Sequence, residues 1–287
     1  MVETSHMNLT IFLLSVVAGT YFLAFVFFLI EFVSTGRKFF SWAGRLVEFG
    51  FLIHTLAIFA QTFSISSNAP SQFHLPVTTL GEASGFFAWS LAFVYLILLR
   101  QLKTETFGLI LAPVLVLFLI PSFFPFRVNQ ASFVHFHDAY FLLHILSAFF
   151  GYASFALSFV AAALYLALDR ALKRKASARF YQKMASLEDL ERFIFRTIFW
   201  GLFLLGSAIL TGALWAQSAF GTFFLREPKS FASLLTWAVY LVIIYLHEVL
   251  KMKGRRVVLT CLWAFVLVLF TFLGTSLFQT GLHVGIW

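Results

Sequence analysis

Two histidines, His54 and His247, stand inside apolar stretches long enough to cross a bilayer, and two more, His144 and His283, stand close to the ends of such stretches. An ionisable side chain within hydrocarbon is costly, so an imidazole kept there marks a functional position by default. Neutral imidazole offers a nitrogen lone pair: it ligates heme iron axially, binds zinc, or relays protons. His54 lies eight residues into its stretch, ~12 Å from the near edge, and His247 lies four residues before Lys251, ~6 Å from its edge. Although 193 positions apart, the two share a depth on the same, basic side of the chain. His144 and His283 fall on the opposite side. Two imidazoles from different helices bracket a porphyrin iron without cysteine or carboxylate ligands, so the pattern suits two heme stations, an inner couple and an outer couple. Zinc, proton transfer and plain hydrogen-bonded structure use the same side chain, and spacing leaves them open. His6, His74, His135 and His137 lie outside the spans and read as surface residues, with His137 seven positions from His144.

The elements that must carry these residues follow from composition. Of 287 residues, 61% are apolar and 11% charged, which excludes an ordinary water-soluble globule. A crossing helix needs about 20 apolar residues, and cutting the chain at charge and Pro/Gly clusters predicts spans over 8–33, 46–62, 79–100, 106–121, 138–168, 193–216, 231–250 and 257–278. The predicted fold is therefore all-α and polytopic, with about eight transmembrane helices. No internal repeat or low-complexity linker divides it, so 1–287 reads as a single integral-membrane domain. The first apolar run has no basic segment before it and no small-residue cleavage site, and reads as a retained span.

Lysines and arginines number three in 34–45, two in 100–105, seven in 169–192 and four in 251–256, whereas 63–78 and 279–287 have none, 122–137 has Arg127 and 217–230 has Arg226 and Lys229. By the positive-inside rule the first set is cytoplasmic, so both termini and the external loop 217–230 face outward, opposite the cytoplasmic loop 169–192. This distribution also accounts for the net charge of +8 without a nucleic-acid partner. Within 169–192, Ser186-Leu187-Glu188-Asp189 predicts a capped helix start. The single cysteine, Cys261, lies in an apolar run, so any thiol chemistry belongs to a partner. The 41 phenylalanines suit lipid contact as well as a cofactor.

Several stretches, in order, carry a family likeness: His54-Thr55-Leu56; Pro76-Val77-Thr78 with Glu82 and Trp89; His144 with Gly151-Tyr152; Gly212-Ala213-Leu214-Trp215-Ala216; Gly221, Pro228-Lys229 and Thr236-Trp237; Tyr245-Leu246-His247; and Gly281-Leu282-His283. They resemble the cytochrome c assembly superfamily, specifically its CcsA branch and HemX-like relatives, over nearly the whole chain. The resemblance implies four heme-iron ligands, His54 and His247 within the membrane and His144 and His283 outside, with heme b passing from the inner station to the outer one. There the vinyl groups of heme join cysteines of an apocytochrome c CxxCH segment. The implied partners are a CcsB/ResB-like membrane protein, a thiol-reducing protein, the apocytochrome and the lipid bilayer. The implied location is a bacterial cytoplasmic membrane or a thylakoid membrane.

One departure is large. The family's external motif, approximately W-G-x-Y-W-x-W-D-P-K-E-x-W, has as its counterpart Phe220-Gly221-Thr222-Phe223-Phe224-Leu225-Arg226-Glu227-Pro228-Lys229-Ser230-Phe231-Ala232. Flat apolar contact survives in Phe220, Phe223 and Phe224, but the indole donors are absent. Arg226 and Lys229 suit heme propionates or an ordinary solvated loop; Trp215 and Trp237 suit a lining role or interfacial anchoring; Glu82 suits a functional carboxylate or a helix-end partner. The readings that follow are heme delivery for cytochrome c biogenesis, HemX-like heme binding or regulation without attachment, and a non-heme transporter or structural subunit.

Overall fold

A bilayer offers backbone N–H and C=O groups no partner except each other, so apolar runs of this length fold as helices. The computed structural model describes residues 2–34, 39–63, 75–99, 105–124, 139–175, 185–223 and 228–277. Among them are α1 (Val2–Val33), α2 (Phe40–Phe63), α3 (Leu80–Leu99), α4 (Glu105–Leu119), α5 (Ala139–Lys173), α6 (Leu187–Phe220), α7 (Pro228–Glu248) and α8 (Arg255–Leu277), with a 3-10 turn at Ile120–Phe123. Seven of these are long and apolar enough to cross a membrane among the described residues, and α8 coincides with the eighth predicted span. The protein is an all-α polytopic membrane protein.

Several helices overrun the predicted spans. α5 and α6 leave only 174–186 between them where 169–192 was predicted as loop, and α6 and α7 leave only 221–227 where 217–230 was predicted. At the α5–α6 connection charged residues pair at i,i+4 beyond the apolar runs, as Lys173 does with Asp169 (2.8 Å) and Arg192 with Glu188 (2.9 Å). The predicted start of α6 is found, with Ser186 Oγ accepting from the Asp189 N–H at 3.0 Å. Its end is a left-handed Gly221 (φ 71°), whose N–H donates to Gln217 O. A left-handed backbone is where glycine carries least strain.

Internal packing divides the chain into two units. In the first, α1 packs on α2 and α4, and α3 packs on α4 and the 3-10 turn. Tyr21, Phe28, Tyr95, Phe107 and Leu111 fill its interior. At the start of α3 Glu82 acts as a helix-end partner: its carboxylate accepts from Thr78 N (2.9 Å), Thr78 Oγ1 (2.7 Å) and Thr79 N (3.3 Å), while Glu82 N donates to Thr79 Oγ1 (3.2 Å). This is a reciprocal capping arrangement.

In the second unit α5 lies along α6, α6 meets α7, and α8 meets both α5 and α7. Gly151 pairs with Gly201, His144 with Ala208 and Phe141 with Trp215, so α5 and α6 run antiparallel. Their backbones touch at the glycines, where a Cβ on Gly201 would stand 3.2 Å from Gly151 O and one on Gly151 would stand 3.1 Å from Leu205 N. Phe155 stacks on Tyr240 at 3.7 Å, joining α5 to α7.

Candidate functional site

In the first unit His54 sits near the middle of α2 and is 1% exposed. Both of its ring nitrogens are buried and neither has a hydrogen-bond partner among the described residues. Such a group costs about 1–3 kcal/mol of desolvation that nothing in the fold returns. The ring meets Tyr21 of α1 edge-on, with centroids 6.2 Å apart. Next to it in sequence, Thr55 Oγ1 accepts from Trp89 Nε1 at 2.9 Å, and the indole stacks against Phe51 and Phe93, each within 16° of parallel. The α2–α3 seam is therefore fixed beside an imidazole that is held in place but not used. α2 begins at Phe40, not at 46 as predicted, so His54 lies nearer the middle of its helix than the sequence indicated.

His144, five residues into α5, is partly buried against α6. Its Nδ1–H donates to the Ala208 carbonyl at 2.7 Å. A carbonyl only accepts, so in the neutral ring the lone pair resides on Nε2, the tautomer suited to ligating through that atom. The ring lies on Gly212, where a Cβ would come within 2.6 Å of Nδ1. One helical turn farther out, Trp215 contacts Phe141 at 4.9 Å and Phe220 edge-on at 5.5 Å. Phe220 is 39% exposed, and Phe223, past the helix end, is 61% exposed. The structure thus gathers His144, Trp215 and Phe220 at one end of the α5–α6 hairpin.

His247 occupies the last turn of α7. Phe195 of α6 stacks on it, centroids 3.4 Å apart and 10° from parallel. Nδ1 is 2.8 Å from Glu248 Oε1, and Nε2 is 3.6 Å from Glu191 Oε1. The same Glu191 oxygen accepts from Gly254 N at 3.2 Å, tying α6 to the α7–α8 turn. Sequence reasoning missed Glu191, because a carboxylate in a run of loop charges carries no distinguishing signal; Phe195 was equally hidden among many phenylalanines.

Trp237 is placed elsewhere. Its Nε1 donates to Leu202 O at 3.1 Å, thirteen residues before Trp215 and so ~20 Å along α6 from the aromatic cluster. His54 belongs to the first unit and His144 and His247 to the second. His283, Arg226, Phe224, His74, His135 and His137 lie outside the described residues, as do the side chains of Lys229 and His6.

The family model described as cytochrome C assembly protein matches residues 77–283. The chain belongs to the cytochrome c assembly protein family. The matched segment of this family member contains His144, His247 and His283, whereas His54 precedes it. The chain is similar to the cytochrome c biogenesis protein CcsA of Chlamydomonas reinhardtii, 29% identical over 73% of this chain and 60% of that one. It is also similar to protein HemX of Brevibacillus brevis, 28% identical over 95% of this chain and 96% of the relative. Among solved structures, the cytochrome c heme lyase CcmF shares the fold, with a TM-score of 0.65 at 17% identity over the full chain and 51% of the CcmF chain. This family member thus spans about three fifths of the algal CcsA and about half of CcmF.

Proposed function

We propose that this protein carries heme b through the membrane and presents it for attachment to apocytochrome c, as one heme-handling domain over 1–287. The observation that carries the reading is the state of His54: a buried imidazole in an apolar span, with two ring nitrogens that no described residue satisfies. A group that costs stability and is retained fits a position waiting for a ligand, and axial coordination of heme iron takes one such nitrogen. Membership of the cytochrome c assembly family supports heme over the other uses of imidazole.

Heme is the cargo in this reading. His247 offers imidazole near the cytoplasmic end of α7 and His54 near the middle of α2, while His144 and His283 offer it on the outer side. The Nδ1–H bond to Ala208 aims His144 to ligate through Nε2, while Trp215, Phe220, Phe223 and Phe224 give a porphyrin face flat apolar contact. Arg226 and Lys229 take the propionates by charge-assisted hydrogen bonds. Trp237 serves as a helix anchor in this scheme. The attachment step adds a cysteine S–H across a heme vinyl group, forming C–S and C–H bonds, on the outer face of a bacterial cytoplasmic or thylakoid membrane. A CcsB/ResB-like partner and a thiol-reducing protein complete the apparatus.

The altered tryptophan-rich loop, together with the nearly full-length match to HemX, favours one second reading: a heme-binding or regulatory protein that does not attach heme. One optical experiment tests the heme reading directly. The purified full chain should show a bis-histidine spectrum, and His54→Ala or His247→Ala should each reduce heme content; unchanged content in both removes the inner ligands. Covalent product from a CxxCH peptide, reductant and partner separates the two readings.

A further inference from the structure

Lys251, Lys253, Arg255 and Arg256 fall within six residues at the α7–α8 turn, and all four are exposed. Among the described residues none of them forms an ion pair or a hydrogen bond. Elsewhere on this side of the chain Lys173 pairs with Asp169, Arg192 with Glu188, and Arg45 lies over Trp42, while Arg170, Arg174, Lys175 and Arg196 are exposed like the four at the turn. Immediately beyond the turn, α7 and α8 part to leave a groove of about 510 Å³, walled by Ala238, Val242, Leu246, Thr260, Trp263 and Ala264 among others. The small Ala238 and Ala264 side chains give it depth, and Trp263, 71% exposed, forms one standing wall. Thr260 donates its hydroxyl to Val257 O at 2.6 Å, and beside the indole N–H of Trp263 the groove offers an occupant mainly apolar contact. Its end at Leu246 and Thr260 lies five residues from Lys251 and four from Arg256 along the chain.

We propose that this groove holds an acyl chain of an anionic glycerophospholipid whose phosphate rests on Lys251, Lys253, Arg255 and Arg256. The chemistry of the two ends decides the class of ligand. A mainly apolar slot takes a hydrocarbon chain, and guanidinium and ammonium groups lacking protein partners take phosphate. The charge pattern places this turn on the cytoplasmic side, where anionic lipids concentrate and each Lys or Arg adds to their attraction. A basic turn alone would be ordinary topology; what specifies a lipid is its closeness in sequence to an apolar groove between α7 and α8. None of the proposed heme histidines lines the groove, although Leu246 precedes His247 and Glu191 joins His247 to the same turn.

The test uses full-length protein in nanodiscs of phosphatidylcholine containing a minority of phosphatidylglycerol, extracted into detergent for native mass spectrometry. The wild type should retain phosphatidylglycerol preferentially, and the K251Q/K253Q/R255Q/R256Q variant should lose that preference by about tenfold or more. Ala238→Leu, which fills the groove at an exposed position, should lower retention with all four charges in place, whereas Lys173→Gln should leave it unaltered. A second readout needs no loop variant: phosphatidylglycerol with brominated chains should quench a fluorescence component that Trp263→Phe removes, and brominated phosphatidylcholine should quench it far less. Equal retention of the neutral lipid, an unchanged preference in the quadruple variant, or equal quenching by both lipids overturns the proposal. So does displacement of the lipid from Trp263 by heme or by a partner's helix at equal concentration.

Discussion

The imidazole of His144 rests directly on Gly212, so closely that a Cβ at position 212 would come within 2.6 Å of Nδ1 and 2.8 Å of Cε1. Gly212→Ala therefore either tilts the ring off the Ala208 carbonyl or pushes α5 from α6. Overpacking of this kind costs about 1–3 kcal/mol. The expected outcome is impaired heme delivery on the outer side, with inner loading retained, as read from spectra of the variant beside His144→Ala. A Gly212→Ala protein with unaltered delivery would show that the ring's seat is unimportant.

His54 invites a test in which stability and function move in opposite directions. Replacing it with leucine removes two buried nitrogens that have no partner among the described residues and supplies an apolar side chain, so the fold should gain up to about 1–3 kcal/mol. Heme content should fall. Thermal unfolding in detergent and pyridine hemochrome content, measured on the same preparation, check both halves; a destabilised His54→Leu protein would mean that the imidazole is structural.

Glu191 links three helical elements through one oxygen, near His247 Nε2 and bonded to Gly254 N. Glu191→Gln keeps the shape but removes the charge facing the imidazole. A shift in the spectrum or midpoint potential of bound heme is expected, with helicity unchanged. If Glu191 only holds the α7–α8 turn, the spectrum stays as in the wild type while the unfolding temperature drops.

Two substitutions should affect the fold without affecting heme. Trp237→Phe loses the hydrogen bond to Leu202 O, worth about 1 kcal/mol, and Glu82→Ala loses the α3 cap, worth about 1 kcal/mol. Both proteins should load heme normally and unfold at lower temperature. A specific loss of heme in Trp237→Phe would return that indole to the ligand's surroundings.

Helix number and approximate limits were legible in the sequence because charge-free length is a strong signal in a membrane protein, as from Leu9 to Ile30. Helix ends were less so. Asp169 to Lys173 and Glu188 to Arg192 look like loop in a hydropathy profile, yet form helix and pair at i,i+4 beyond the apolar runs. The histidines announced themselves through the cost of burying them, and the cap at Ser186 through its spacing. Their surroundings gave no such notice: Tyr21 beside His54, Glu191 beside His247 and the Ala208 carbonyl beside His144 become neighbours only through packing between helices, and carbonyl partners leave no trace in residue type. Trp237 shows the converse, since a tryptophan near an aromatic motif in sequence is spent on an α6 carbonyl far along the helix.

The contact of α5 with α6 at Gly151 and Gly201 has one more implication. At Gly201 the Phe155 ring of α5 lies within 2.6 Å of where a Cβ would stand, beside the Gly151 carbonyl at 3.2 Å, so the separation of the two rods there is set by one aromatic ring and bare main chain. α5 carries His144 toward one end of the pair, while α6 carries Trp215 at that end and Glu191 at the other. A bulkier residue at either glycine would act as a wedge, altering the gauge at both extremities together from a point that touches neither.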